Sequence, residues 1–239
     1  TTSTGAVDPL DEIAGLCAEK GLWLHVDAAY GGAAVLTKQG EELLHGLSRA
    51  DSIAIDPHKW WFQPYEAGCL LVRDADVLRR TYSLHAEYLT ETRGVEPVNF
   101  YDYGPQLTRS FRALKLWMTI QVFGLDALRA GVAHGISMAE YAESLLRERP
   151  QWMVVTPAQL GILTFRPNLP EGSSPAADRI VRAVAEEMLN DGHALVLTTD
   201  LGSGPVLRLC VTHPQTTHED LETTVDRLTQ MLQRQVDIA

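Results

Sequence analysis

Basic runs are missing from this 239-residue chain: its twenty Lys and Arg occur singly or in pairs such as Arg79-Arg80, against thirty-one Asp and Glu. A formal charge of −11 repels a phosphate backbone, so nucleic acid is not an expected partner. Long apolar runs are missing too. Ala67 to Val72 and Leu114 to Ile120, the latter broken by Lys115, fall far short of the roughly 20 residues of a membrane span. No charged segment followed by an apolar core opens the chain, so no signal peptide is read and the expectation is a soluble, cytoplasmic protein without a membrane partner. Cysteine is scarce. Cys17, Cys69 and Cys210 are odd in number, widely spaced and in apolar contexts, which suits buried free thiols better than disulfides or a zinc site. What is abundant is apolar sequence, 45% against 21% charged, enough for a real core in one large domain or one and a half smaller ones.

The pattern alternates strands and helices. Thr1 to Thr4 reads as the tail of a strand. Asp8-Pro9 predicts a helix start capped by Asp8 and running to Lys20-Gly21. Trp23 to Asp27, Ser52 to Ile55 and Gly68 to Val72 read as short buried strands, with a helix at Glu41 to His45 between them. This order implies a parallel α/β sheet. Ala75 to Tyr82 reads as helix, Ser83 to Pro105 as a long loop, and Phe111 to Phe123 and Leu125 to Arg149 as helices. Beyond Pro150 the order strand, strand, helix, strand, strand, helix suggests a small α+β domain. The expected division is 1–124 for part of a large sheet domain, 125–149 for a linking helix and 150–239 for the small domain. Trp60, Trp61 and Trp117 are expected in the core.

Two strand ends carry chemistry. Asp27 closes the first strand and is followed by Ala28-Ala29-Tyr30-Gly31-Gly32; the second strand runs into Asp56-Pro57-His58-Lys59. In an open parallel sheet, ligands bind outside the carboxyl ends of strands, so both side chains point at one edge. Singly, such an Asp is ordinarily a turn residue and such a Lys a solvated charge. His25 and Asp27, at i and i+2 on one strand face, also suit a metal, but no third ligand stands nearby in a recognisable pattern. Together, a carboxylate and a lysine match the needs of pyridoxal 5'-phosphate (PLP): the amine forms an imine with the aldehyde, and the acid keeps the pyridine nitrogen protonated so that the ring accepts electrons.

His25-Val26-Asp27-Ala28-Ala29-Tyr30-Gly31, Asp51-Ser52-Ile53 and Asp56-Pro57-His58-Lys59-Trp60 resemble the group II PLP-dependent amino-acid decarboxylases, nearest the aromatic-L-amino-acid branch. The likeness continues through Tyr88, Arg109-Ser110-Phe111-Arg112-Ala113-Leu114-Lys115-Leu116-Trp117 and Leu207-Arg208-Leu209. It implies the α/β, aspartate-aminotransferase-like fold type I, here the second half of the large parallel or mixed sheet domain plus the small C-terminal α+β domain. It further implies that Lys59 carries the cofactor, Asp27 meets the pyridine nitrogen and Ala29 packs on a ring face. Ser52 and His58 would lie near the phosphate or imine, Thr2 beside the cofactor and the substrate carboxylate, and Arg109 near the dimer-related site. Tyr88 matches a mobile-loop tyrosine that returns a proton to the α-carbon after carbon dioxide leaves; family members with phenylalanine there tend toward oxidative deamination. Asp56 departs from the asparagine often found in its place, and a carboxylate beside a phosphate repels it unless turned away or protonated.

Members of that family are roughly twice as long, and their first half holds the phosphate loop, the ring-stacking histidine and most of the substrate pocket. The resemblance therefore implies a complementary N-terminal half or subunit, a dimer of the complete unit, and a chain that is not stable alone. Decarboxylation of an L-amino acid, aromatic or related, is the leading expectation. Aldehyde synthase, aminotransferase or sulfur lyase chemistry on the same fold, or a non-catalytic subunit completing a partner's site, stand as alternatives.

Overall fold

The structure, a computed structural model, describes residues 1–83, 98–169 and 174–238, the side chains of 174 and 175 excepted. Helix α1 (Leu10–Lys20) is closed by Gly21 in the left-handed region at φ 63°, where the Leu22 N–H reaches the Cys17 carbonyl. Its N-cap is Pro9, with no side-chain bond. The expected Asp8 cap fails because the helix starts one residue later, leaving Asp8 a step outside. Nor do residues 1–4 form a strand: they turn, with the Gly5 N–H bonded to the Thr1 carbonyl.

Strands β1 (His25–Asp27), β2 (Ser52–Ile55) and β3 (Cys69–Val72) form one sheet in that order. Between the first two lie a 3-10 stretch, Gly31–Leu36, and helix α2 (Lys38–Leu43), which Thr37 caps by accepting the Gly40 N–H. This crossover makes β1 and β2 parallel, with Asp27 opposite Ala54. β3 is antiparallel to β2, so this sheet is mixed. The link from Asp56 to Gly68 contains no α-helix, and a parallel return ordinarily takes a longer crossover, usually helical. Helix α3 (Ala75–Tyr82) follows, capped by Asp74.

Helix α4 (Ala113–Arg147) kinks at Gly124, whose φ of 80° and ψ of 162° interrupt it between the two helical stretches of the sequence. After the kink, one face is buried at Leu128, Val132, Ile136, Ala139 and Leu146. Before it, Phe111, Leu114, Trp117, Met118, Val122 and Phe123 are 40–73% exposed. Trp117 is thus not core, whereas Trp60 is wholly buried and Trp61 partly so. Apolar periodicity marks a face for covering; it does not say that the covering sequence lies in this chain.

The second sheet joins β4 (Trp152–Gln159), β5 (Ile162–Pro167), β6 (Leu197–Asp200) and β7 (Pro205–Cys210) in the order β4-β5-β7-β6, all antiparallel. Helices α5 (Ser174–Asp191) and α6 (His218–Ile238) cover it with the end of α4. Their shared core includes Leu146, Trp152, Phe165, Val184, Met188, Leu207 and Leu228. Each such side chain contributes about 1.5–3 kcal/mol by leaving water. A smaller core joins α1, the 3-10 stretch and α4 through Leu10, Ala33, Ala34, Trp60, Val132 and Leu160.

Candidate active site

The parallel ladder between β1 and β2 continues past both strands: the Ala28 N–H donates to Ala54 and the Asp56 N–H to Ala29. Each strand is therefore zipped to the other where it turns. Asp27, exposed, accepts the Ala29 N–H on Oδ1 at 3.0 Å, which steadies the turn and orients the carboxylate. Across the ladder, the chain winds tightly after Asp56, with the Lys59 N–H on the Asp56 carbonyl and the Gln63 N–H on that of Pro57. Trp60 anchors this winding, stacked on Tyr30 with ring centroids 4.7 Å apart. Tyr30 in turn donates its hydroxyl to the Leu160 carbonyl at 2.6 Å, tying the Asp27 turn to the β4–β5 turn. Burial, reinforced by the Cys210 thiol beside it, pushes the Tyr30 hydroxyl's pKa far above the ordinary tyrosine value.

These elements enclose a cavity of about 400 Å³ lined by Thr2, Asp27, Ala29, Lys59, Leu160 and Arg208, among others. Thr2, Asp27, Ala29 and Lys59, separated by up to 57 residues in sequence, thus face one space. Two other expected residues do not line it. Ser52 begins β2, at the opposite end from the Lys59 turn, and its hydroxyl accepts from Trp23 Nε1 at 2.9 Å. The same hydroxyl lies 2.7 Å from His25 Nδ1, so it joins the indole and the imidazole. His58 is held by Nδ1 against the Ala67 carbonyl at 2.7 Å, its ring edge-on to Tyr65. Tyr88 falls outside the described residues.

Two contributors to this cavity were not singled out by sequence, and Asp56, noted there as a carboxylate beside a phosphate, has another partner. Arg208 on β7 lines it and donates Nε to the Thr2 carbonyl at 2.8 Å, across 206 positions. Tyr30 holds its rim, as above. Asp56 turns its carboxylate to Lys59, Oδ2 to Nζ 2.9 Å. Local pattern carries no trace of the first two contacts; for the third, the i, i+3 spacing was the available signal. Arg112 and Lys115 do not reach the cavity: Arg112 pairs with Glu66, whose carboxyl it holds below the usual range, and Lys115 donates to the Pro64 and Glu66 carbonyls. Arg109 is exposed.

The donor set suits PLP. Of the chain's four lysines, Lys20 pairs with Glu19, Lys38 is exposed on α2 and Lys115 is spent on carbonyls; Lys59 alone among them lines the cavity. It shares that cavity with a carboxylate free to meet a protonated ring nitrogen and with a small alanine wall.

Comparison with known proteins agrees. The pyridoxal-dependent decarboxylase conserved domain matches residues 1–168. The aromatic-L-amino-acid decarboxylase of Bacillus atrophaeus is 44% identical over 224 residues, 92% of this chain and 47% of that protein. Among solved structures, Oryza sativa TDC with PLP and tryptamine superposes with a TM-score of 0.89 at 29% identity, covering 98% of this chain and 49% of that one. Rhodiola rosea 4-hydroxyphenylacetaldehyde synthase superposes at 0.86 and 25%, covering 98% and 48%. The chain spans about half the length of these relatives. It has the fold of the fold type I PLP enzymes, as the second half of the large sheet domain with the small domain attached. This chain belongs to the pyridoxal-dependent decarboxylase family.

Proposed function

We propose that this chain holds PLP on Lys59 and, completed by an N-terminal half or subunit, decarboxylates an aromatic or related L-amino acid to its amine. The observation that carries the reading is the meeting of Asp27 and Lys59 in one cavity. When bound, PLP supplies an aldehyde that condenses with amines and a ring that accepts the electron pair released as carbon dioxide leaves. Every other task falls to the protein. Lys59 offers the amine that anchors the cofactor and later yields to the substrate's amine. Asp27, fixed by the Ala29 N–H, keeps the proton on the pyridine nitrogen. Ala29 leaves room for a flat ring, and Thr2 and Arg208 offer a hydroxyl and a cation near the place of a substrate carboxylate. His58 supports the Lys59 turn from outside the cavity, and Ser52 orients His25 from the far end of β2. Tyr88 returns the proton to the α-carbon.

In this reading residues 1–124 complete the cofactor-holding domain, 125–149 link and 150–239 form the small domain. The exposed apolar face at the start of α4 supports a partner segment over it, and the complete unit works as a dimer. Three free cysteines support a reducing, cytoplasmic setting.

The test is to supply the native assembly with PLP and individual aromatic amino acids and histidine, and to measure carbon dioxide and amine. Equimolar release of both, abolished in Lys59→Ala, is expected; keto acid or no product overturns the reading. The aldehyde synthase among the structural relatives favours a second reading, an aldehyde product formed with carbon dioxide, ammonia and hydrogen peroxide as dioxygen takes up two electrons, and in air Tyr88→Phe is expected to move products toward aldehyde.

A further inference from the structure

We propose that Asp56 is a positioning residue for Lys59, a fixed counter-ion that holds the amine at the cavity edge and keeps it away from Asp27. The inference rests on the reading of Lys59 as the attachment lysine. One amine and two carboxylates meet here. Asp27 and Lys59 both line the cavity, and an unopposed ammonium would be drawn to the Asp27 carboxylate, neutralising the group that must face the pyridine nitrogen. Instead Lys59 Nζ lies 2.9 Å from Asp56 Oδ2, and Asp27 keeps the Ala29 N–H as its contact.

The holding carboxylate is itself built in. Its N–H is zipped to the Ala29 carbonyl, its own carbonyl takes the Lys59 N–H, and Pro57 stiffens the turn between them. On the far side His58 Nε2 stands 3.9 Å from the same Oδ2, with the ring anchored on Ala67. The Asp56 side chain is 28% exposed and that of Lys59 44%, so the pair is partly wet and can open.

Opening is what attachment requires. The ammonium must release a proton before the nitrogen attacks. Over the whole condensation, a carbon–nitrogen double bond forms, the aldehyde oxygen leaves as water with two of the three ammonium hydrogens, and the third stays on nitrogen with the positive charge. Asp56 holds the amine in a 2.9 Å contact that must break before the nitrogen can reach the aldehyde, and removing the carboxylate frees it.

The experiment compares the native assembly, stripped of cofactor, with its Asp56→Asn form. Each is exposed at neutral pH to limiting PLP, quenched with borohydride at intervals, and the modified lysines are quantified by peptide mass spectrometry. Labelling of Lys59 is expected to be about two- to five-fold faster in Asp56→Asn, the scale of a half-exposed ion pair, with Lys20 and Lys38 unchanged. A second measurement needs no variant: raising salt should speed Lys59 labelling in the unmodified protein relative to Lys38, because screening weakens the pair. Equal Lys59 rates in both proteins, or a rate insensitive to salt, overturn the role of Asp56 and leave the attachment site standing. Labelling that avoids Lys59 in both proteins overturns the attachment reading and the inference with it.

Discussion

Tyr30→Phe removes one oxygen and leaves the ring stacked on Trp60. The lost atom donates to the Leu160 carbonyl at 2.6 Å, with the Cys210 thiol 3.7 Å from it. A buried carbonyl stripped of its donor costs about 1–3 kcal/mol. For a chain of this size about 2 kcal/mol corresponds to a melting temperature lower by roughly 4–8 °C. The bond joins the Asp27 turn to the β4–β5 turn, two walls of the cavity, so PLP affinity is expected to fall in parallel. Alkali adds a second signature. The hydroxyl's folded pKa is raised, so its contribution to stability is fully present below the ordinary tyrosine value of about 10 and is lost as pH rises beyond it. Calorimetry of the native assembly and its variant between neutral pH and pH 11 reads both effects. A Phe variant as stable as the parent at neutral pH, and equally alkali-sensitive, would refute the assignment of this bond as the tie between the walls.

Gly161→Ala should be worse still: φ is +78°, and a Cβ there would stand 2.8 Å from the Tyr30 hydroxyl and 3.1 Å from Trp60, so left-handed strain and overpacking together cost about 2–5 kcal/mol, readable by denaturant titration. At the start of α6, Thr217 and Asp220 cap each other reciprocally, Asp220 Oδ2 accepting the Thr217 N–H and Thr217 Oγ1 the Asp220 N–H. Thr217→Ala should cost about 1 kcal/mol by the same titration. The Thr217 hydrogen bonds hold the Asp220 carboxyl below its usual pKa, so its contribution is complete above about pH 4 and lost as pH falls through the lower folded value. Asp220→Asn should blunt that acid sensitivity, and an unchanged acid profile would show the bond to be idle.

Much of this was legible because the strands are short and end abruptly. Asp27 and Lys59 could be read as neighbours at one sheet edge because each follows an apolar strand and precedes turn residues. The helices were legible from their period, and Gly124 fell between two of them. The long-range contacts escaped for one reason. Tyr30 to Leu160 and Arg208 to Thr2 span 130 and 206 positions, and no local period encodes a contact that depends on how two sheets meet. Ser52 was placed by likeness alone near the cofactor, yet a residue that begins its strand stands three positions from the end where Lys59 turns in. Trp117 was misjudged because an apolar helical face looks the same whether this chain or another covers it. The direction of β3 depended on the connection, which reads as turn chemistry and so returns the chain antiparallel.

The central claim is that Lys59 is the lysine that carries PLP, and the direct measurement is the site of attachment. The native assembly is reduced with borohydride in the presence of PLP, digested and sequenced by mass spectrometry. The account predicts a phosphopyridoxyl group on the peptide containing Asp56-Pro57-His58-Lys59-Trp60, and its loss in Lys59→Ala. A group found on Lys20, Lys38 or Lys115 instead, or a Lys59→Ala protein that still holds the cofactor covalently, would contradict it.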